Sequence, residues 1–420
     1  MTDTVNPTER TSLLNNDKKE EKWQDLIPHF PVLTASCIMS IVVGLNDGTI
    51  GFMIPRFKEY YGVSYQVLSL LFLCNAAGYI ICAPLNGYFV HRFGQKGTLL
   101  LAGASVLLAY LIIMNGFDFR ITCLVMVLQG SGIAILDAGM NVCTAHLPFA
   151  TLMLNIVHAV YGFGAMLAPM IGVVILKYDI SWRWLYVCIC CISVINILVI
   201  AFTIHNEDDT ATSNEIEEQE QGGDSTSNSS NHQENAIHPI LNRTTILCAI
   251  YILIYVGLEV TLGGWGNAFL REAKHGGDIA ASQVLSYYWS ALAVGRIVLG
   301  YISGRYGERL VINICTLLCV FCVIGLWFID DFIWVSVVFV FIGALLGPCF
   351  PTTIALASKV LPKEMHPTSI GFIAGVGAAG AAILPFISGL IAGQFGMSII
   401  PILCLIMALV MEVAWILIPS

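Results

Sequence analysis

Apolar residues in this chain run in continuous stretches of about 20, the length that crosses the hydrocarbon core of a bilayer as a helix. Such stretches recur from near Phe30 to Pro419, separated by short breaks that hold most of the charge. The pattern predicts spans at 32–55, 65–88, 97–116, 121–145, 152–177, 182–204, 244–270, 283–303, 309–329, 332–357, 368–392 and 396–418. The expected fold is therefore an all-α membrane protein of twelve transmembrane helices. Six predicted spans lie on either side of residues 205–242, which hold nine acidic residues between Glu207 and Glu234 and no Lys or Arg. That segment is also rich in Ser, Asn, Gln and Gly and cannot bury enough apolar surface to offset its ordering entropy, so it reads as a disordered linker. The expected organisation is a disordered cytosolic tail over 1–28, a six-helix bundle over 29–204, the acidic linker over 205–242 and a second bundle over 243–420.

Composition agrees with this reading: 57% of the 420 residues are hydrophobic and 11% are charged, and the mean hydropathy is +0.80. The net charge of −9 comes largely from the linker and says little about the bundles. The first apolar run follows a charged stretch (Asp17 to Lys22) and lacks a small-residue cleavage site, so it reads as a retained span. The fourteen cysteines fall almost entirely within predicted spans and are read as small buried hydrophobes. Neither a metal nor a cofactor is expected. No nucleophile–base pair or phosphate loop is visible, which argues against an enzyme, and nothing points to nucleic acid. Partners are then a small solute, protons and the lipid bilayer, and the chain is expected to act as a monomer.

Lys and Arg in short loops favour the cytoplasmic side. With both termini inside, that side carries Arg10, Lys18, Lys19, Lys22, Arg92, Lys96, Arg243, Arg305, Arg309, Lys359 and Lys363, against Arg56, Lys58, Arg120, Lys177, Arg183, Arg271 and Lys274 outside. The bias is modest, and the even span count contributes as much to the assignment. This topology keeps the Asn228 and Asn242 glycosylation sequons from the glycosylating compartment.

The turn after span 2 reads Gly87-Tyr-Phe-Val-His91-Arg92-Phe-Gly94-Gln-Lys96, and the turn after span 8 reads Gly300-Tyr-Ile-Ser-Gly304-Arg305-Tyr-Gly307-Glu308-Arg309. The motif resembles the signature loop of the major facilitator superfamily, Gly-x-x-x-Asp-Arg-x-Gly-Arg-Lys, and its repetition implies two pseudo-symmetric bundles. The family's aspartate is replaced by His91 and Gly304. The resemblance implies a cytoplasmic gate of Gly87, Arg92, Gly94, Lys96, Gly300, Arg305 and Gly307. Arg296 is grouped with it as a residue one turn before the second loop. The plainer alternative is that Arg92 and Lys96 only enforce topology.

Within the spans, Leu45-Asn46-Asp47, Asp137 with Asn141, Asn155-Ile-Val-His158-Ala-Val-Tyr161-Gly-Phe-Gly164, Tyr255-Val-Gly-Leu-Glu259, Tyr288-Trp289, Gly295-Arg296 and Phe350-Pro351-Thr352 resemble the fucose:proton symporter branch, and fungal members of it most of all. In those symporters acids at the places of Asp47 and Asp137 bind sugar and proton. Ionisable groups at bilayer depth are costly and are functional candidates by default; here they are Asp47, Asp137, His158, Glu259, Arg296 and Glu412. Burial disfavours the charged form of a carboxyl, so Asp47 and Asp137 could load a proton in one facing state and release it in the other. The alternative is a fixed structural hydrogen-bonding acid. His158 suits a proton-linked switch or a neutral hydrogen-bonding role. Tyr255, Glu259 and Asn267 form a polar stripe on one helix face. Asn46, Asn141 and Asn155 complete the expected polar contacts. Aromatic faces of Trp265, Tyr161 and Tyr288 could stack on a sugar ring, although aromatic residues in spans are more often packing. Glu412 has no partner legible in the sequence.

The leading expectation is a secondary active transporter that moves a small polar, sugar-like solute by alternating access, with protons as the coupling ion. The alternatives are a drug/proton antiporter and a non-transporting membrane sensor on the same fold. Glu9-Arg-Thr-Ser-Leu13-Leu14 in the tail matches an acidic dileucine sorting pattern, which points to a vacuolar or lysosomal membrane, with the plasma membrane as the other location.

Overall fold

A computed structural model describes residues 23–204, 242–362 and 365–419. The acidic linker before Asn242 and the sorting pattern at Glu9, Leu13 and Leu14 lie outside the described residues. The bilayer has no water to satisfy backbone polar groups, so a spanning chain without strands must satisfy them along helices. The first half forms α1 (Phe30–Tyr61), α2 (Tyr65–Cys82), α3 (Asn86–Ile113), α4 (Phe119–Ala145), α5 (Ala150–Lys177) and α6 (Arg183–Thr203). The second forms α7 (Arg243–Glu272), α8 (Asp278–Tyr306), α9 (Glu308–Phe328), α10 (Phe332–Val360), α11 (His366–Phe395) and α12 (Ile400–Leu417). Among the described residues, 11 helical segments are long and apolar enough to cross a membrane. The exception is α8, which has the length, at 29 residues, but carries Asp278, Arg296 and Arg305 along with several serines. The chain is an integral, multi-pass membrane protein.

The two halves pack by one scheme. In the first, α1 lies on α5, α2 on α4, and α3 on α4 and α6; in the second, α7 lies on α11, α8 on α10, and α9 on α10 and α12. The contacts between bundles obey the same pseudo-twofold, with α1 against α7, α5 against α8 and α2 against α11. Close approach depends on glycine at these crossings. A Cβ on Gly48 would stand 2.1 Å from the Ala165 carbonyl oxygen on α5, and one on Gly380 would stand 2.1 Å from that of Leu253 on α7. Successive helices run antiparallel, so Trp23, Ile204, Asn242 and Ile418 share one face, called here the terminal face. The opposite one is the far face.

Two expectations about boundaries need correction. The tail, expected to be disordered to residue 28, is structured from Trp23: Trp23–His29 is a 3-10 helix, Leu26 is buried, and the Trp23 ring stacks on Phe149 at 4.6 Å. Span 2, expected to reach residue 88, ends at Cys82, because Pro84 in the following turn has no N–H with which to continue the helix. The expected loop is instead largely helical, inside α3, with a kink at Gly94 (φ 70°, ψ 166°). At the matching place of the second motif copy, Gly307 (φ 105°) forms the whole turn between α8 and α9. Both motif glycines thus hold a positive φ that a side chain would strain.

Candidate functional site

Mid-depth in the bundles, the sequence-predicted acids meet residues that the sequence did not single out. Asp47 lies about halfway along α1, roughly 25 Å from its first residue at 1.5 Å per residue. Its carboxylate accepts a hydrogen bond from the Tyr161 hydroxyl on α5 and one from the Asn46 side-chain amide at 3.0 Å. Asn46 itself is buried. Its Oδ1 accepts from Gln129 Nε2 on α4 and from the Tyr110 hydroxyl on α3 at 3.4 Å. It is therefore held by bundle side chains and supports Asp47.

On the other side of the seam, Arg296 on α8, partly buried, donates from Nη2 to Glu259 Oε1 on α7 at 3.1 Å, with the Glu259 side chain buried. Its Nη1 reaches the backbone oxygen of His158 at 3.5 Å, and its guanidinium lies 5.3 Å from the centre of the Tyr161 ring. Arg296 had been expected near the terminal-face loop with the gate. The structure corrects this, because Arg296 stands about 15 Å of helix from Tyr306, where the buried Glu259 carboxylate requires a cation. The order across the seam is Asp47, Tyr161, Arg296, Glu259.

Asp137 belongs to a second group. Its Oδ2 accepts from the Tyr79 hydroxyl on α2 at 2.7 Å, and its backbone oxygen accepts from Asn141 Nδ2 at 2.9 Å. Asp47, Asp137, Asn141, His158 and Tyr161 are only partly buried, and Asn155 is exposed. Although they lie within the bundles, these side chains on α1, α4 and α5 remain accessible.

Three predicted contacts sit elsewhere. Trp265 is fully buried; its Nε1 donates to the Pro385 carbonyl at 2.9 Å and its ring packs on Tyr65 and Phe72 of the opposite bundle. Asn267 is buried and bonds Ser282 on α8 at 3.0 Å. Tyr288 is buried against Phe339 and donates to the Glu259 backbone oxygen at 3.1 Å. These side chains are committed to packing in this state. Glu412 is buried on α12, and its Oε2 has no hydrogen-bond partner.

The expected gate residues cluster on the terminal face. Arg92 and Arg305 are exposed and lie over Phe93 and Tyr306, each 6.0 Å from the ring centre. A Cβ on Gly87 or Gly300 would meet nothing within 4 Å. Gly94, Lys96 and Gly307 lie in the same two turns. The far face is tied across the seam: Lys58 on α1 pairs with Glu272 on α7 at 2.7 Å, and Arg271 on α7 pairs with Glu59 on α1 at 3.0 Å. Tyr65 on α2 also donates to Glu272, at 2.5 Å. Each of the two first helices thus ends in a basic–acidic dipeptide, and each basic residue takes the other's acid. That repeat was available in the sequence but was counted there only as loop charge. Tyr79, Tyr110 and Gln129 gave no signal beyond being polar groups within predicted spans.

The sequence profile of the Major Facilitator Superfamily matches residues 36–377 and 247–420. The chain is 28% identical to Bypass of stop codon protein 6 of Saccharomyces cerevisiae over 99% of its length and 90% of that protein's. It is 23% identical to the Glucose/galactose transporter of Brucella abortus over 86% and 87%. Its fold overlaps the crystal structure of a D-xylose-proton symporter with a TM-score of 0.77 at 12% identity, covering 93% of this chain and 98% of that one.

Proposed function

We propose, from the premise that this chain belongs to the Major Facilitator Superfamily and is a transporter rather than an enzyme, that it carries a neutral, sugar-like solute by proton-coupled symport. The carrying observation is the arrangement of charge at mid-depth. Arg296 is paired with Glu259, so the one Lys or Arg at this level among the described residues is neutralised within its own bundle. Asp47 and Asp137 are met by neutral donors, namely Tyr161, Asn46 and Tyr79. A carboxylate without a cation is costly to enclose, and taking up a proton removes that cost. Closure around the solute therefore favours loaded acids, and reopening to water favours release. Asn141, Asn155 and His158 add accessible hydrogen-bonding groups, which suits the hydroxyls of a sugar. The resemblance to a glucose/galactose transporter supports the same solute class.

With both termini in the cytosol, the terminal face is the inner one, and the ion pairs of the far face hold the outer side together. In an acidic vacuole, symport would then drive solute from lumen to cytosol. A screen of sugars by thermal stabilisation of the purified protein, followed by pH-driven uptake into vesicles with wild type and Asp47→Asn, tests the reading. The expected result is a stabilising sugar whose uptake follows the proton gradient and is abolished by the substitution. Uptake that survives Asp47→Asn with its pH dependence intact would refute the coupling role.

A further inference from the structure

The Asp47 carboxylate is served by an amide whose own orientation is fixed from behind. Asn46 could present either its NH2 or its oxygen to Asp47, since the two ends of an amide have nearly the same shape. Two donors decide between them. Gln129 Nε2 from α4 and the Tyr110 hydroxyl from α3 both point at Asn46 Oδ1, which leaves Nδ2 to face Asp47 Oδ1 at 3.0 Å. All three supporting side chains are at most 6% exposed, so water has little access to satisfy the amide in the opposite sense. Packing reinforces the arrangement: α1 crosses α4, and Tyr110 is wedged against Tyr186 of α6 at 6.1 Å.

We propose that Gln129 and Tyr110 are positioning residues that lock the Asn46 amide with its NH2 toward Asp47, and so set the pH at which Asp47 loads its proton. An NH2 aimed at the carboxylate stabilises the ionised form, whereas an amide oxygen in that place opposes it and accepts from the protonated form. The lock thus determines how readily the acid gives up its proton. The titratable and charged groups around Asp47 are Tyr161 on α5, Tyr79 on α2, Tyr110 on α3, Asp137 on α4 and Glu259 on α7, with Arg296 of α8 behind Tyr161. Neither Gln129 nor Asn46 is titratable, so their substitution leaves this charge set unchanged.

The inference rests on the reading of Asp47 as a proton-binding group, and its test needs no solute. A hydrophobic carbodiimide modifies protonated carboxyls, so the pH at which half of Asp47 is labelled, read by peptide mass spectrometry on the full chain in lipid vesicles, reports its loading. In Gln129→Leu the midpoint is expected to move up by about one pH unit, the scale of a lost hydrogen bond to a charged group. Tyr110→Phe, which deletes a single oxygen and spares the fold, is expected to move it the same way by less. Because the lock acts through Asn46, Gln129→Leu is expected to add no further shift in an Asn46→Leu background. A wild-type midpoint that exists but is unchanged in both single variants overturns the lock alone, as does a full additional shift in the Asn46→Leu background. A wild-type profile with no midpoint overturns the proton reading of Asp47 and the lock with it.

Discussion

The far-face latch gives the most direct handle on the conformational equilibrium. Glu272→Gln removes the carboxylate that receives Lys58 at 2.7 Å and the Tyr65 hydroxyl at 2.5 Å, while leaving the Arg271–Glu59 pair in place. The side chains of Lys58 and Glu272 are 37% and 42% exposed, so the ion pair is screened by solvent and contributes at most about 1 kcal/mol. The hydrogen bond from the buried Tyr65 is to the same charged acceptor and adds about 1.5 kcal/mol. Together they amount to at most about 2.5 kcal/mol, which shifts the ratio of latched to unlatched molecules by up to about 70-fold. Spin labels carried on non-canonical residues at Tyr60 and His275, at the far ends of α1 and α7, leave the native cysteines untouched. Their distance distribution should show a separated population in Glu272→Gln that wild type lacks, and the exchange Lys58→Glu with Glu272→Lys should suppress it. A distribution identical to wild type in Glu272→Gln would refute the assignment of the latch.

Other expectations follow from the same geometry. Arg296→Met or Glu259→Gln alone leaves one buried charge without its partner and should cost about 3 to 5 kcal/mol, seen as a lower melting temperature and poor yield. The double variant should recover much of the stability while remaining inactive in vesicle transport. Tyr161→Phe should keep the fold, since the ring stays in place, and should weaken proton-driven uptake by removing the donor to Asp47. Gly94→Ala and Gly307→Ala should each destabilise by about 1 to 2 kcal/mol because both positions hold positive φ; equal melting temperatures in wild type and variants would show that the turns relax without penalty.

The spans and the two-bundle plan were legible because membrane helices are specified by the length of apolar runs, which needs no knowledge of tertiary contacts. The depth of Asp47 could likewise be counted from the helix start. What escaped was anything set by rotation about a helix axis. Asn46 and Asp47 are neighbours in sequence, yet one turns into the bundle and the other stays accessible, and the difference depends on what α3 and α4 bring behind α1. Arg296 was assigned by its sequence distance from the loop motif, whereas its position is governed by Glu259, 37 residues away on the adjoining helix. Trp265, Asn267 and Tyr288 looked like ligands because polar and aromatic residues in spans are conspicuous, but each finds its partner in a neighbouring helix. The kink at Gly94 was hidden because a loop motif and a broken helix have the same sequence.

The strong bonds at the centre lie within bundles: Asp47 with Tyr161 on one side, Arg296 with Glu259 on the other. Across the seam at that level the polar contacts of Arg296 are a long bond to a backbone oxygen and a cation resting over a ring. When the bundles rock, each carries its own bonded pair as fixed cargo, and little has to be torn at the pivot. Resistance to motion is therefore concentrated at the tips of α1 and α7, where leverage is greatest, so a change at the rim can alter the rate of cycling without touching the chemistry of loading.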